Sequence, residues 1–302
     1  MHDWRSGARV CTIVLNYNNF WDTVETLKSA QRMTYKNNHL LLVENSTKEA
    51  IVKKIRLQFP ELEIRENGTN LGYAGGNNVG ILWAMERGAD YIFVLNNDVL
   101  LEPDVLEKLV AAMDSDPECA ACQPLVTFND NRETIWSAGT EMYFGYPRLY
   151  KKGEKMKRNG IRQPPFGLVG CALLFRASAL KEIGLFDESL FLLQEETDWC
   201  MRAAKMGFHF AVIHNAVVQH KVSETLGMFS KTYLYYIGRN WLLVGKRHNS
   251  RSIFAYIFIT ELAIRVPYYL YQLAMRGQLW MIKFYLIGLF DGLREVSGEK
   301  AL

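Results

Sequence analysis

Residues 91–98 have the sequence YIFVLNND, in which the apolar run 91–95 ends in two amides and a carboxylate. A short apolar run bounded by polar residues is typical of a buried β-strand. In an open α/β sheet, ligands bind beyond the carboxyl ends of the strands. Asp98 can there supply one oxygen ligand to a hard divalent cation whose other ligands come from a diphosphate. The sequence therefore predicts a metal–phosphate site near the middle of the chain.

Strand-like and helix-like segments alternate over the first hundred residues. This alternation indicates βαβ units and a mostly parallel sheet. In the second helix we expect Ile51, Ile55 and Leu57 to face inward. The predicted strands are Val10 to Tyr17, Leu40 to Val43, Glu63 to Arg65 and Tyr91 to Leu95, and the predicted helices are Phe20 to Met33, Thr47 to Phe59 and Gly76 to Arg87.

Further strands and helices are predicted up to residue 247. The basic segment 148–162 has no apolar periodicity and is predicted as a surface loop, either a solvated linker or a lid over an anionic substrate. The predicted strands are Ala120 to Phe128, Thr134 to Phe144, Ala172 to Phe175, Phe210 to Ile213 and Val217 to His220, and the predicted helices are Pro103 to Asp114, Glu195 to Met206 and Phe229 to Arg247.

The composition indicates a folded protein with a sizeable core. Of the 302 residues, 49% are apolar, and the net charge of +3 is too small to indicate nucleic acid as a partner. We expect no signal peptide, because Met1 to Arg9 is polar. The five cysteines are therefore expected to be free thiols in a reducing cytoplasm. Cys119 and Cys122 form a C-x-x-C without a second pair, which favours two buried thiols over a metal or redox site.

The C-terminal segment Ile253 to Leu293 is crowded with aromatic and aliphatic residues, interrupted by charges. No stretch in it reaches the roughly 18 apolar residues of a membrane span. From Lys246 onward, eight Lys and Arg stand against four Asp and Glu. Basic, aromatic-rich amphipathic helices are typical of a position on an anionic leaflet. The alternative is that these helices pack on the core or on another subunit.

Two further clusters could bind a nucleotide. Glu44 ends the second predicted strand, where its carboxylate could accept hydrogen bonds from a nucleobase or a ribose, or could simply precede a helix. Residues 70–80, NLGYAGGNNVG, combine asparagines with glycines, which let a backbone approach a phosphate closely near a helix N-terminus. The spacing is not G-x-G-x-x-G and does not follow the first strand, so a nicotinamide site is disfavoured.

Residues 195–198, EETD, begin a predicted helix and supply a candidate general base. A base needs a carboxylate within reach of a hydroxyl, and Glu196 is the candidate. Glu195 and Asp198 are expected to organise the helix start, with Asp198 pairing with Arg202 one turn later. His220 ends a predicted strand and is either a structural histidine or a metal ligand.

Together these clusters resemble the family 2 glycosyltransferases of GT-A fold, in particular bacterial rhamnosyltransferase-like members that build cell-surface polysaccharides. The resemblance runs from about Val10 to His248. It implies that Asp98, at the last acid of the family's D-x-D motif, is a metal ligand, that His220 is a second ligand, and that Glu44 contacts the base. The donor-binding residues that it implies are Asn16, Tyr17, Asn18, Glu44, Asn70, Gly72, Gly75, Asn77, Asn97 and Asp98.

On the acceptor side, the resemblance covers the segment around Gly170 and the EETD motif. It implies that Glu196, at the second acid of the family's Glu-Asp motif, is the catalytic base. Arg239 and Asn240 also look family-like but have no assigned role. The acceptor-side residues that it implies are Gly170, Cys171, Glu195 and Asp198.

The resemblance implies an α/β GT-A domain over residues 1–248, with a nucleotide-sugar half (about 1–100) and an acceptor half (101–248). A helical, membrane-associated segment over 249–302 follows. The implied activity is inverting hexosyl or rhamnosyl transfer from a dTDP-, UDP- or GDP-linked sugar to a glycan or lipid-linked hydroxyl, with Mg²⁺ or Mn²⁺. The enzyme would lie peripherally on the cytoplasmic face of the membrane, and the sequence leaves homo-oligomers open.

Two other functions fit parts of the pattern. A nucleotidyltransferase also uses a metal and a glycine-rich loop, but it would need a basic loop after the first strand, where residues 16–19 have neither Lys nor Arg. A noncatalytic sugar-binding or scaffold subunit at a membrane is the alternative from another class.

Overall fold

A central sheet carries most of the chain. The computed structural model describes residues 7–158, 160–162, 164, 166–221, 227 and 229–302. Asn159 of the predicted loop and residues 1–6 of the predicted polar start lie outside the described residues. The strands are β1 (Val10–Asn16), β2 (Asn38–Glu44), β3 (Glu63–Glu66), β4 (Tyr91–Asn96), β5 (Val99–Leu101), β6 (Cys119–Phe128), β7 (Ile135–Ser137), β8 (Thr140–Tyr143), β9 (Tyr146–Leu149), β10 (Ile161–Arg162), β11 (Ala172–Arg176) and β12 (His209–His220).

Helices connect the strands and make up the C-terminal region. Two 3₁₀ turns and one π-helical segment interrupt or join them, at Glu188–Leu190, Leu279–Met281 and Glu261–Arg265. The α-helices are α1 (Phe20–Gln31), α2 (Glu49–Gln58), α3 (Gly72–Glu86), α4 (Val105–Ser115), α5 (Ala177–Ile183), α6 (Glu195–Lys205), α7 (Lys231–His248), α8 (Arg251–Thr260), α9 (Val266–Met275) and α10 (Ile282–Leu293).

Among the described residues, ten strands form one mixed sheet in the order β10-β12-β6-β11-β4-β1-β2-β3, with β5 on β12 and β7 on β6. The first four strands of the alternating half are parallel, as are β6 and β12, while β11 runs antiparallel between β4 and β6. The predicted α/β class is therefore confirmed. Because Asn16 lies beside Glu44 and Leu15 beside Asn96, the polar strand ends meet at one edge of the sheet.

The core consists of apolar clusters on both faces of the sheet. Alternate residues of a strand point to opposite faces, and in β1 Val14 lies in the cluster with α1 and α4, whereas Ile13 lies in the cluster with α3 and α6. A further cluster joins α7 to α8, α9 and α10 and includes Trp241, Tyr285 and Leu289. The molecule thus has helices on both sides of the sheet and an additional C-terminal helical layer.

Helix α3 begins at Gly72, four residues before the predicted start at Gly76. The glycines serve close packing within the helix. A Cβ on Gly76 would lie 2.7 Å from Leu15 Cδ1, and one on Gly80 would lie 2.7 Å from Ile13 Cγ2. The small residues therefore let α3 approach β1, a contact that local turn signals do not reveal.

Three other predictions about secondary structure are wrong in detail. Leu57 is 85% exposed, because Val52 takes the inward position beside Ile55. The predicted strand 134–144 is split at Gly139, which has φ +90°. The two strands predicted over 210–220 form one strand, β12, with a register shift between Ile213 and Val217.

The predicted surface loop 148–162 begins inside a hairpin. Strands β8 and β9 pair antiparallel, with Tyr143 opposite Tyr146. Its apolar tip, Met142 to Phe144, is exposed. The segment is therefore less irregular than predicted, and its role as a lid stays a prediction.

The helical stretch Arg251–Met275 is long and apolar enough to cross a membrane by length and composition alone, with a window of mean hydropathy 1.4. The expectation that no segment reaches this length is therefore wrong. Only 22% of that window is buried. Its mid-helix charges, Glu261 and Arg265, pair with each other at 3.0 Å, and Glu261 is buried while Arg265 is half-buried.

Helix α10 packs closely against α7. A Cβ on Gly288 would lie 2.2 Å from the Tyr235 carbonyl oxygen, and one on Gly292 would lie 2.6 Å from that of Arg239. Asp291, between these glycines, accepts a 2.8 Å hydrogen bond from the Tyr235 hydroxyl. The glycines therefore allow a backbone-to-backbone approach that a larger residue would prevent.

We expect Gly288→Ala to lower the free energy of unfolding by about 1–3 kcal/mol, because overpacking outweighs the better helix propensity of Ala. Urea denaturation measures the change. The matched control is Leu286→Ala on the same helix, where a side chain that is 44% exposed is shortened and we expect a change within about 0.5 kcal/mol. Unchanged stability of Gly288→Ala would contradict the close packing.

Candidate active site

Asn16 joins three strand ends at the carboxyl edge of the sheet. Its fully buried side chain donates to Glu44 Oε2 at 2.5 Å and accepts from Asn97 Nδ2 at 2.9 Å. Thr23 Oγ1 donates to the same Asn16 oxygen at 2.8 Å. Three predicted site residues, Asn16, Glu44 and Asn97, are thus brought together. The polar groups of these side chains mainly form hydrogen bonds with one another.

Glu44 lies in an apolar environment. It is 1% exposed, and this burial raises the pKa of its carboxyl, against the hydrogen bonds from Ser46 and Asn16. Tyr17 and Asn18 follow at the turn after β1 and are exposed, with Asn18 at φ +58°. Of the predicted residues on this strand end, these two have side chains in contact with solvent.

Asn45 organises the start of α3. Its amide donates to Asn70 Oδ1 at 3.1 Å and to the Gly72 carbonyl at 2.8 Å. Asn77 Nδ2 donates to the Tyr73 carbonyl at 3.0 Å, while its buried Oδ1 has no hydrogen-bond partner among the described residues. The asparagines and glycines predicted to bind a donor therefore also shape this helix start, and Gly75 lies within its first turn.

Asp98 lies in the tight turn between β4 and β5, beside the end of β12. In β12, His220 is paired with Val99, and His220 Nε2 lies 3.2 Å from Asp98 Oδ1. His220 Nδ1 and Asn96 Oδ1 are buried and have no hydrogen-bond partner within the described part of the chain. The predicted pair Asp98 and His220 is thus adjacent.

This set of donors suits a divalent cation. Carboxylate and amide oxygens are ligands for Mg²⁺ and Mn²⁺, and imidazole suits transition metals.

A second group of metal-type side chains lies at the opposite edge of the sheet, where β6 and β12 begin. It consists of Asp116, Cys119 and His209, whose ligand atoms lie within 4.8 Å of one another. Cys119 and Cys122 are buried free thiols, as predicted, and burial raises the pKa of Cys119 to about 12.

Glu195 and Glu196 begin α6 as a pair of interacting carboxyls. Glu195 is 1% exposed, and burial together with the charge of Glu196 raises the pKa of Glu195 well above its usual value. Burial raises the pKa of Glu196 to about 7. Glu195 therefore keeps its proton at a pH at which Glu196 ionises, so that one carboxylate is available here near neutral pH.

Asp98 and Glu196 share Cys171 as a neighbour. Burial raises the pKa of this thiol, and the carboxylates of Asp98 and Glu196 raise it further. Beside it, a Cβ on Gly170 would lie 3.5 Å from Glu196 Oε2, and the Tyr73 hydroxyl donates to the Gly170 carbonyl. Residues 170–171 are thus close to Glu196 on one side and, through the hydrogen bond from the Asn96 amide to the Cys171 carbonyl at 3.0 Å, to the strand end that precedes Asp98 on the other.

Asp198 is held in a buried ionic network. Arg202 Nε lies 2.8 Å from one of its oxygens and His248 Nε2 lies 2.7 Å from the other. Burial would raise the pKa of Asp198, but these hydrogen bonds outweigh it and lower the pKa. The predicted pair with Arg202 is confirmed, whereas the acceptor-side role of Asp198 stays a prediction.

Residues 188–194, which we call the bridging turn, were not singled out from the sequence. Phe191, Leu193 and Gln194 have φ values of 64°, 71° and 75°. Each such conformation costs about 1–3 kcal/mol in a residue other than glycine. The Phe191 carbonyl accepts from the Tyr73 amide at 2.7 Å, and α6 begins directly after Gln194. Because the turn contains no glycine, its backbone conformation leaves no signal in the sequence.

Comparisons with known proteins agree with this geometry. The sequence model described as "Glycosyl transferase family 2" matches residues 11–184, more than half of the chain. The dTDP-rhamnosyl transferase RfbF of Shigella flexneri is 20% identical, over 97% of this chain and 98% of that protein. The N-acetylglucosaminyl-diphospho-decaprenol L-rhamnosyltransferase of Mycobacterium tuberculosis is 25% identical, over 69% of this chain and 74% of that protein.

The fold also resembles that of solved structures. The mannosyltransferase of Pyrobaculum calidifontis in complex with GDP-Man and Mn²⁺ superimposes with a TM-score of 0.58 at 14% identity, covering 97% of this chain and 91% of that chain. At this identity the likeness shows the fold, a mixed sheet of GT-A type. The chain therefore belongs to glycosyl transferase family 2 and is a rhamnosyltransferase-like glycosyltransferase of GT-A fold.

Proposed function

We propose that the protein is an inverting, metal-dependent glycosyltransferase that uses Glu196 as its general base. It moves a sugar from a nucleotide-diphosphosugar to a hydroxyl of a glycan or lipid-linked glycan. The observation that carries this proposal is the position of residues 170–171. A Cβ on Gly170 would lie 3.5 Å from Glu196 Oε2, and the Cys171 carbonyl accepts from the amide of Asn96, two residues before Asp98, at 3.0 Å. The Glu196 carboxyl, with a pKa of about 7, and the Asp98 carboxylate are therefore both near this short backbone segment.

In the proposed step, a carboxylate oxygen of Glu196 accepts the proton of the acceptor hydroxyl. The hydroxyl oxygen forms a bond to the anomeric carbon from the face opposite the diphosphate. The bond between that carbon and the diphosphate oxygen breaks, and its electron pair leaves with the nucleoside diphosphate. A general base is typically worth about 10²–10⁴ in rate. Glu195, protonated beside it, adds no second negative charge.

The cation would be held by Asp98 and His220, with Asn96 Oδ1 as a further donor. The support is the 3.2 Å approach of His220 Nε2 to Asp98 Oδ1, together with the buried Oδ1 of Asn96, two residues before Asp98, which has no hydrogen-bond partner among the described residues. A bound Mg²⁺ or Mn²⁺ would neutralise negative charge on the departing diphosphate. On the donor side, Tyr17 and Asn18 offer side chains, and Asn70, Gly72, Gly75 and Asn77 shape the neighbouring helix start.

The names of the relatives guide the choice of substrates. Two carry rhamnosyl transfer in their names, one of them with dTDP and the other with a diphospho-decaprenol acceptor. We infer that a dTDP-rhamnosyl donor is the first to test, followed by UDP- and GDP-linked sugars. The proposed catalytic domain is residues 1–248, with a donor half up to about residue 100 and an acceptor half from residue 101.

We further propose that the C-terminal helices lie on the surface of an anionic membrane, on its cytoplasmic side. Large apolar side chains are exposed on α8, α9, α10 and the 3₁₀ turn before α10, among them Ile259, Tyr271, Trp280 and Phe290, each at least 56% exposed. Such an exposed apolar surface indicates an interaction site. The basic excess of this segment suits anionic headgroups.

The packing favours a position on the membrane over one across it. The Arg265 guanidinium lies 3.3 Å from the centre of the Tyr146 ring, and a Cβ on Gly145 would lie 3.1 Å from Tyr256 Cε1. One side of the 251–275 helix is therefore fixed to the β8–β9 hairpin. If this helix crossed the bilayer, the β8–β9 hairpin packed against it would have to enter the membrane as well.

We expect Glu196→Gln to retain donor binding and to lose transfer by at least about a hundredfold. The wild-type kcat should rise as the pH increases through about 7, since only the ionised carboxylate accepts a proton. This rise should be absent from the residual activity of the variant. The control is Glu182→Gln at an exposed position on α5, with wild-type turnover. Near-normal turnover by Glu196→Gln would remove this residue from the role.

We expect Asp98→Ala to abolish the gain in donor affinity that Mn²⁺ provides, because the variant lacks the carboxylate ligand. Isothermal titration calorimetry of the nucleotide-sugar with and without Mn²⁺ measures this gain. Asp130→Ala, an exposed acid in a loop, controls for the loss of a negative charge and should keep the gain. Equal donor affinity of wild type and Asp98→Ala in Mn²⁺ would contradict the assignment.

We expect the double change Trp280→Glu and Phe290→Glu to reduce binding to vesicles containing phosphatidylglycerol by more than about tenfold. Each buried aromatic side chain contributes about 1.5–3 kcal/mol, and about 1.4 kcal/mol is a factor of ten. Cosedimentation measures the bound fraction. The control is Leu57→Glu on α2, where the replaced side chain is 85% exposed. Equal binding of all forms, or none by the wild type, would contradict the membrane proposal.

A further inference from the structure

We propose that Arg239 and Asn240 of α7 are positioning residues that set the place of the Glu196 carboxylate by holding the bridging turn. The inference rests on the proposed function of Glu196. Both side chains are fully buried in the core of the protein, and neither contacts the proposed reacting atoms. Their action would pass through the backbone of residues 188–194, which leads directly into α6.

The two side chains bind four carbonyl groups of the bridging turn. Asn240 Nδ2 lies 2.9, 2.8 and 2.7 Å from the carbonyl oxygens of Leu190, Leu192 and Leu193. Arg239 Nη2 donates to the Leu190 carbonyl at 2.7 Å and reaches that of Ser189 at 3.4 Å. The Asn240 amide is itself fixed, because its oxygen accepts from Arg239 Nε at 2.8 Å.

These contacts supply hydrogen-bond donors to carbonyl groups in the backbone of the bridging turn. With Phe191, Leu193 and Gln194 all at positive φ, residues 191–194 form no regular helix or strand between the 3₁₀ turn Glu188–Leu190 and α6, and buried carbonyls need partners. Strained backbone of this kind persists only where its surroundings fix it. An apolar side chain at position 240 could fill the space, but it would remove the Asn240 donor from the Leu192 and Leu193 carbonyls. The need of the bridging turn for side-chain donors therefore explains why an arginine and an asparagine occupy positions 239 and 240.

The bridging turn contacts both the start of α3 on the proposed donor side and the start of α6, which carries the proposed base. On one side, the Phe191 carbonyl accepts from Tyr73 at the start of α3, and a Cβ on Gly72 would lie 2.2 Å from the same oxygen. On the other side, Gln194 is the N-cap of α6, two residues before Glu196. A displacement of the turn would therefore move the base relative to the donor side.

The C-terminal tail completes the same arrangement. Arg239 Nη1 donates to the Gly298 carbonyl at 2.6 Å, and the Gly298 amide donates to the Ser189 carbonyl at 2.6 Å. Residues 249–302 therefore do more than offer a surface to a membrane. They supply part of the contact set that holds the base.

The test measures kcat, donor KM and the pH dependence of kcat for Asn240→Ala and Arg239→Lys. A displacement of about 1 Å can cost a factor of about 10² in rate. We expect kcat to fall at least about tenfold while donor KM changes less than about threefold. Arg239→Lys keeps the charge but loses the fork of donors, and it decides the matter if Asn240→Ala does not fold.

The pH profile separates positioning from general loss of structure. Glu196 faces Glu195 and Cys200 on its own helix, Tyr73 on α3 and Cys171 before β11. A looser turn would admit water to this buried cluster. We therefore expect the acid limb of kcat to move from about pH 7 towards the ordinary range of a carboxyl group in both variants.

The matched control is Leu289→Ala, which opens a cavity in the apolar cluster between α10 and α7 and removes none of the hydrogen bonds that Arg239 and Asn240 make to the turn. It should lower the melting temperature as much as the test variants do and leave kcat and its acid limb unchanged. Wild-type kcat and pH profile in folded Asn240→Ala or Arg239→Lys would overturn the proposal, as would an equal loss in Leu289→Ala. If Glu196→Gln is inactive while these variants are normal, only the positioning role fails. Normal turnover by Glu196→Gln overturns the proposed function itself.

Discussion

The hydrogen bonds of Asn16 are the constraint on which the arrangement of the strand ends depends. Its carboxamide, shielded from water, ties β1 to Glu44 of β2 and to Asn97 beyond β4. A buried amide is costly unless its partners are present, so these ends are held in one register. Because Asp98 follows Asn97 directly, the position of the metal-type carboxylate follows from the same bonds.

Burial gives the neighbouring carboxyl groups different chemical characters. Asp198 is hydrogen-bonded to Arg202 and His248, which lower its pKa, whereas burial dominates at Glu195 and Glu196 and raises their pKa values. Three acids within one turn of α6 thus differ in pKa because their surroundings differ. The low-dielectric surroundings of Glu196 raise its pKa. Entry of water into these surroundings would therefore lower that pKa.

Much of the fold could be predicted from sequence because its signals are local. The apolar run before Asp98 predicted β4, and the polar ends of β1, β2 and β4 could be expected at one edge. The proximity of His220 to Asp98 follows from β12 and β5 pairing across the chain, which no local pattern reveals. The early start of α3 depends on a close approach to Leu15 and Ile13, and the bridging turn depends on donors from α7, 50 residues away in sequence.

The bond between Gly298 and Ser189 has a consequence for synthesis of the protein. The residues that bear the sheet and both acids leave the ribosome well before the last segment of the chain does. Until Gly298 emerges, the Ser189 carbonyl and one arm of the Arg239 guanidinium lack a partner that they have in the finished molecule. A nascent chain would therefore form the sheet first and complete the contacts that hold the bridging turn only after residue 298 has left the ribosome.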